Sequence, residues 1–257
     1  MTSQKKAYLY GISAVLCWST VATAFKLSLE YLTPAQLVFL SSLVSWLFLG
    51  VLLCFQGQFS TLLQYNKRDY LLSGLFGMLN PCVYYLLLFQ AYNLLPAQEA
   101  QSINYSWALT MALLAVPMMG HRLRLQEIVA AIICYFGVLV ISSRGDLMSM
   151  QFANPQGVVL ALLSTLVWAL YWILNAKDHR QPVAGLFLNF SFALPLIGLY
   201  VWFDDGFSDI GLKALGGAAY VGIFEMGLSF VLWLKAMKLT DSTARISNLI
   251  FISPFLS

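Results

Sequence analysis

The sequence predicts an all-α polytopic membrane protein, an inverted repeat of five-helix units with eight full spans and part of a ninth present. Three observations carry this reading. The chain is 60% hydrophobic and 10% charged, with a mean hydropathy of +0.77, whereas a soluble protein carries about 25% charged residues. Its apolar runs are continuous and close to the ~20 residues a helix needs to cross a bilayer, unlike the alternating ~10-residue segments of a membrane barrel. Its cations fall unequally at the ends of those runs.

The first run, residues 7–25, follows Lys5 and Lys6 and contains Ala22-Thr23-Ala24 near its end. That pattern mimics a secretory signal, but the run carries Trp18 and outlasts a typical h-region, so it is expected to remain as a span. Pro34 opens the second run, 34–55. The third, 70–92, contains Pro81, which removes a backbone donor and predicts a kink. Runs at 97–119, 125–142, 157–174, 183–203 and 212–234 complete the eight. A ninth begins at Ile246 and stops at Ser257, well short of a full crossing, so the sequence reads as C-terminally truncated.

With the N-terminus in the cytoplasm, only Lys26, Arg144 and Lys213 of the 14 Lys and Arg residues face the other side. Cytoplasmic loops carry the excess of Lys and Arg, so this orientation is the expected one. The net charge of +3 then reflects topology, and no nucleic-acid partner is expected. Cys17, Cys54, Cys82 and Cys134 lie in apolar runs without C-x-x-C spacing and read as packing residues.

The chain repeats itself. Gly77-Met78-Leu79-Asn80 aligns with Gly222-Ile223-Phe224-Glu225, and at the same offset Phe89-Gln90-Ala91-Tyr92 meets Leu234-Lys235-Ala236-Met237. With small gaps, Trp18 meets Trp168 and Pro34 meets Pro182. The domain boundaries that follow are 1–150 for the first repeat and 151–257 for the second, incomplete one. An odd number of spans per repeat inverts the second copy, an architecture used by secondary transporters to alternate between outward and inward access.

Here the residues also carry a resemblance. Gly222-Ile223-Phe224-Glu225-Met226-Gly227, continuing through Leu232-Trp233-Leu234-Lys235-Ala236, resembles a span of EamA-type permeases of the drug/metabolite transporter superfamily. So do Asn104-Tyr105-Ser106-Trp107 and Gly120-His121-Arg122-Leu123. The resemblance implies two inverted repeats around a central pathway and outward movement of amino acids or other small metabolites.

Glu225 is the most informative residue. A charged side chain near the middle of a span costs roughly 2.5–3.5 kcal/mol on insertion scales and is kept where it faces the bundle interior. Desolvation favours the neutral acid, which suits proton exchange. Its repeat partner is Asn80, and Tyr84 and Ser229 lie four residues on from each, on the same helical faces. Gln101, Asn104 and Tyr105 share another face with Trp107 beside them. Trp18 and Trp168 are mid-span aromatics, away from the interface where such residues ordinarily anchor. These ten residues are the candidate substrate-binding set, with Glu225 also the proton-coupling group. Ser73 with Gly77, and Ala218 with Gly222, read as close helix packing.

No G-x-S-x-G, H-E-x-x-H or Walker loop is present, so no enzyme activity, cofactor or metal is expected. The function expected is a secondary transporter in the bacterial inner membrane that exports a small metabolite such as an amino acid, with proton exchange as one means of coupling. Its partners are that solute and the lipid bilayer. Two rival readings are a cytoplasmic-face membrane enzyme using His121, Arg122, His179 and Arg180, and a truncated, non-transporting membrane protein.

Overall fold

The computed structural model describes residues 3–120, 125–142, 145, 154–204, 206–208, 210–241 and 243–250. Among them the chain is helical and without strands. We number ten helices: α1 Ser3–Leu29, α2 Pro34–Phe55, α3 Lys67–Leu94, α4 Ala97–Asn104, α5 Trp107–Met119, α6 Leu125–Ser142, α7 Pro155–Lys177, α8 Pro182–Phe203, α9 Leu212–Leu239 and α10 Thr243–Ser247.

Local signals set the helix starts. Thr33 accepts from the Gln36 amide at 3.3 Å while the Gln36 side chain accepts from the Thr33 amide at 3.1 Å, with Pro34 in the first turn. Asn66 and Asp69 form the same reciprocal box at the start of α3, both bonds at 3.0 Å. Asn154 accepts from Gly157 N at 3.0 Å ahead of α7. Each arrangement satisfies backbone donors that the first helical turn leaves open.

The count of spans is corrected. Among the described residues six helices, α1, α2, α3, α7, α8 and α9, are long and apolar enough to cross a membrane, in place of eight complete spans and part of a ninth. The run at 97–119 is not one helix. It breaks at Tyr105–Ser106 into α4 and α5, of 8 and 13 residues, and neither is one of the six. Hydropathy sums over such a break because it registers composition and not backbone direction. α6 is helical over 18 residues, but its flanks and several of its side chains, Cys134 among them, lie outside the described residues, and it is not one of the six. Of the ninth run, Ile246 and Ser247 end α10 and a short 3-10 turn reaches Ile250. Residues 251–257 lie outside the described residues.

Five pairings between distant parts of the chain build the bundle: α1 on α9, α2 on α8, α3 on α7, α3 on α8 and α2 on α9. Leu9, Leu16, Leu47, Val51, Leu196 and Leu199 turn outward. Apolar side chains on the outer face are what a lipid solvent selects. Close approaches occur at two glycines. A Cβ on Gly77 would strike the Asn189 carbonyl of α8, and one on Gly222 would meet the Ser41 carbonyl of α2 at 2.5 Å. Neither obstacle is a flexible side-chain end. Gly77→Ala and Gly222→Ala are each expected to destabilise the protein by about 1–3 kcal/mol, the usual cost of overpacking. Thermal unfolding of the purified variants checks this, and an unchanged midpoint would show that the helices can separate freely there.

Candidate functional site

Four places where elements meet at the centre of the bundle depart from regular α-geometry, while α7, which carries Trp168, stays α-helical throughout. α1 is interrupted at Ser19–Thr20, directly after Trp18. α3 contains a π-helical stretch, Met78–Val83, with Asn80 at φ −152°, ψ 123° and a cis Asn80–Pro81 bond. α9 contains another, Val221–Leu228, which carries Glu225. α4 gives way to α5 beside Asn104 and Tyr105. π-Bulges and broken helices recur at functional sites because they re-aim side chains and free backbone groups.

Around these breaks lies a small cavity of about 20 Å³, lined by Trp18, Val21, Phe25, Tyr84, Leu88, Tyr92, Asn104, Tyr105, Trp107, Trp168, Glu225 and Ile250. That is room for one water-sized molecule. Glu225 is 4% exposed. The Tyr85 hydroxyl donates to its Oε1 at 2.8 Å, and its Oε2 has no hydrogen-bond partner among the described residues. The Ser229 hydroxyl donates to the Glu225 backbone carbonyl, and Trp18 Nε1 reaches the same carbonyl at 3.4 Å.

A second chain of polar contacts crosses the cavity wall. Tyr84 donates to Asn104 Oδ1 at 3.4 Å, and Asn104 Nδ2 donates to Ser164 Oγ at 3.0 Å. Gln101 Nε2 donates to the Tyr105 hydroxyl at 2.9 Å. Rings fill the remaining space. Tyr84 stacks on Trp168 with centroids 4.1 Å apart, and Trp18 lies 5.0 Å from Trp233 and 6.0 Å from Trp168. Trp107 lies 5.5 Å from Trp233. The Trp168 and Trp233 indole nitrogens have no hydrogen-bond partner.

The structure therefore brings Glu225, Tyr84, Asn104, Tyr105, Trp107, Trp18 and Trp168 to one lining. Gln101 and Ser229 support it through hydrogen bonds. Asn80 stands apart: it is fully buried, its two side-chain polar atoms lack partners, and it does not line the cavity. Tyr85 was not singled out by the sequence. A one-helix register places Tyr84 on the face of Asn80, but the π-helical stretch between them adds a residue to the turn. Tyr85 consequently reaches Glu225 while Tyr84 turns to Asn104.

Aromatic layers close the cavity toward both ends. Phe25 packs on Phe89 at 4.9 Å and on Tyr92 at 5.2 Å, toward the end where α1 and α3 finish. Beyond them a larger cavity of about 950 Å³ opens among Glu30, Thr33, Gln36, Gln90 and Asp204. Toward the other end, Trp172 packs on Phe230 at 5.2 Å and on Tyr171 at 5.1 Å. Past that layer the Arg180 guanidinium is buried between α3 and the α7–α8 connection. Its Nε donates to Asp178 Oδ2 at 2.7 Å, and its Nη1 donates to the Asp69 carbonyl at 3.0 Å and to the Ser73 hydroxyl. Lys238 of α9 donates to the Arg180 carbonyl at 2.6 Å. Of the residues considered for an enzyme site, Arg180 is occupied in this network, His179 is exposed beside Asp69, and His121 and Arg122 lie outside the described residues.

The profile of the EamA-like transporter family matches residues 5–143 and again residues 155–257. An aromatic amino acid exporter, YddG, of Ancylobacter novellus is 26% identical over 99% of this chain and 87% of its own length. An uncharacterized transporter, YxxF, of Bacillus subtilis is 25% identical over 85% of this chain and 70% of its own. A solved crystal structure superimposes with a TM-score of 0.73 at 23% identity, covering 98% of this chain and 85% of that one, and shares the fold.

Proposed function

Because this chain belongs to the EamA-like transporter family, we propose that it is a secondary transporter that exports small metabolites such as amino acids across the bacterial inner membrane, with Glu225 exchanging protons. The observation that carries this is the central cavity, where one buried carboxyl and a ring of aromatic faces meet at the breaks in α1, α3 and α9. The relative from Ancylobacter novellus, an exporter of aromatic amino acids, supports an amino acid with an aromatic side chain.

Two repeats, 1–150 and 151–257, are part of the proposal. The family profile matches twice, and the packing exchanges between halves as repeat symmetry requires. α1 on α9 corresponds to α7 on α3, and the pair α2 and α8 maps onto itself. Transport follows if one aromatic layer parts while the other stays closed. With the N-terminus cytoplasmic, the Arg180 network lies on the inner side, as the distribution of cations favours. The larger cavity is then an outer vestibule.

Export is tested with bacterial cells preloaded with labelled phenylalanine, tyrosine, tryptophan and non-aromatic amino acids. Cells expressing the chain are expected to release at least one aromatic amino acid faster than vector controls. Equal rates for every solute would overturn the proposal, and rates independent of pH across a series would remove the proton from it.

A further inference from the structure

We infer that the central cavity recognises the ammonium group of its solute, and that arylalkyl amines lacking an α-carboxylate bind more tightly than the parent amino acids. This rests on the reading of that cavity as the transport site and narrows the class of solute it takes.

Among the described residues Glu225 is the sole charged side chain in the lining, which holds no Lys, Arg or His. Residues 251–257 carry no charge either. The nearest buried cation toward the basic end, Arg180, is bound to Asp178 and separated from the cavity by the Trp172 and Tyr171 layer. A carboxylate entering here would lose its hydration without gaining a positive partner, and it would stand near a carboxyl that is itself buried. Uncompensated burial of an anion is costly.

An ammonium meets the opposite situation. Glu225 Oε2 is buried and unpartnered, while Oε1 is already held by Tyr85, so one oxygen is left to receive a donor. The Trp18, Trp168 and Tyr84 rings line the same space. Aromatic faces attract a cation within about 6 Å of a ring centroid, and desolvation strengthens the effect. An aryl group has Trp107 and Phe25 to pack on. Admission requires the rings to part, since about 20 Å³ accommodates no more than a water-sized molecule.

The test is calorimetric titration of the full chain in lipid nanodiscs with 2-phenylethylamine, L-phenylalanine and 3-phenylpropanoate. The amine is expected to bind at least ~10-fold more tightly than the amino acid, and the acid to bind most weakly, as loss of a charge-assisted contact predicts. Glu225→Gln is expected to weaken the amine by at least ~10-fold. The ranking of the three ligands on the unaltered protein needs no variant. Equal or tighter binding of L-phenylalanine, no binding of the amine, or amine binding indifferent to Glu225→Gln would each overturn the inference. Efflux of labelled L-phenylalanine without efflux of the amine would overturn it and leave the transport reading standing. Efflux of neither, nor of any amino acid, would remove both.

Discussion

Glu225→Gln is expected to reduce export at least ~10-fold with expression and membrane insertion unchanged, the loss that follows from removing a charged hydrogen-bond acceptor. The substitution is nearly isosteric. Gln retains a carbonyl oxygen in the position of Oε1, so the Tyr85 hydroxyl keeps its acceptor at the 2.8 Å contact. The Trp18 and Ser229 bonds are to the Glu225 backbone carbonyl and do not depend on the side chain. What disappears is the charge and the proton-accepting oxygen, the two properties on which solute recognition and proton exchange depend. The measurement is efflux from preloaded cells, normalised to the protein detected in the membrane. An export rate equal to that of the unaltered chain would take the carboxyl out of the mechanism. A parallel fall in the amount of membrane-inserted protein would assign Glu225 to folding instead.

Arg180→Met is expected to lower stability by about 3–5 kcal/mol, the cost of leaving one member of a buried ion pair without its partner. The Arg180 and Asp178 side chains are 0% and 6% exposed, with 2.6 Å between Nη2 and Oδ2. Met fills much of the aliphatic volume but strands the Asp178 carboxylate and releases the Asp69 carbonyl and Ser73 hydroxyl. Lys in place of Arg is expected to recover only part of the loss. A single ammonium cannot reproduce the planar fork that addresses Asp178, Asp69 and Ser73 together. Thermal unfolding in detergent checks the singles, and the Arg180→Met/Asp178→Asn double variant is expected to unfold at a higher temperature than Arg180→Met because it removes the stranded charge. An Arg180→Met midpoint equal to that of the unaltered protein would mean that water reaches this end of the bundle.

Much of the candidate site was legible because of its chemistry. A carboxylate in an apolar run announces an interior position, and Glu225 is buried at the cavity. Mid-run tryptophans pointed to the same place, and Trp18 and Trp168 line it with Trp107. Tyr85 was illegible because helical arithmetic assumes an unbroken register, and the π-helical stretch at Met78–Val83 shifts the face by a residue. Asn80 was grouped with Glu225 by repeat symmetry, yet its own backbone is non-helical and its side chain lies away from the lining. The span count failed for a related reason. The run at 97–119 has the hydropathy of a crossing helix, and the break between Asn104 and Trp107 divides it.

The sequence by itself determined the solvent, the helical class and the family resemblance. Each is a sum or pattern over neighbouring residues, and a bilayer leaves a 60% hydrophobic chain few ways to satisfy its backbone. Only the tertiary structure decided where α1 and the run at 97–119 break, which tyrosine holds the carboxyl, and that Arg180 ties α3 to the α7–α8 connection. Those outcomes depend on groups distant in the chain, as with Tyr85 and Glu225 or Asp69 and Arg180. Their meeting is set by how the helices pack, and no local pattern records it.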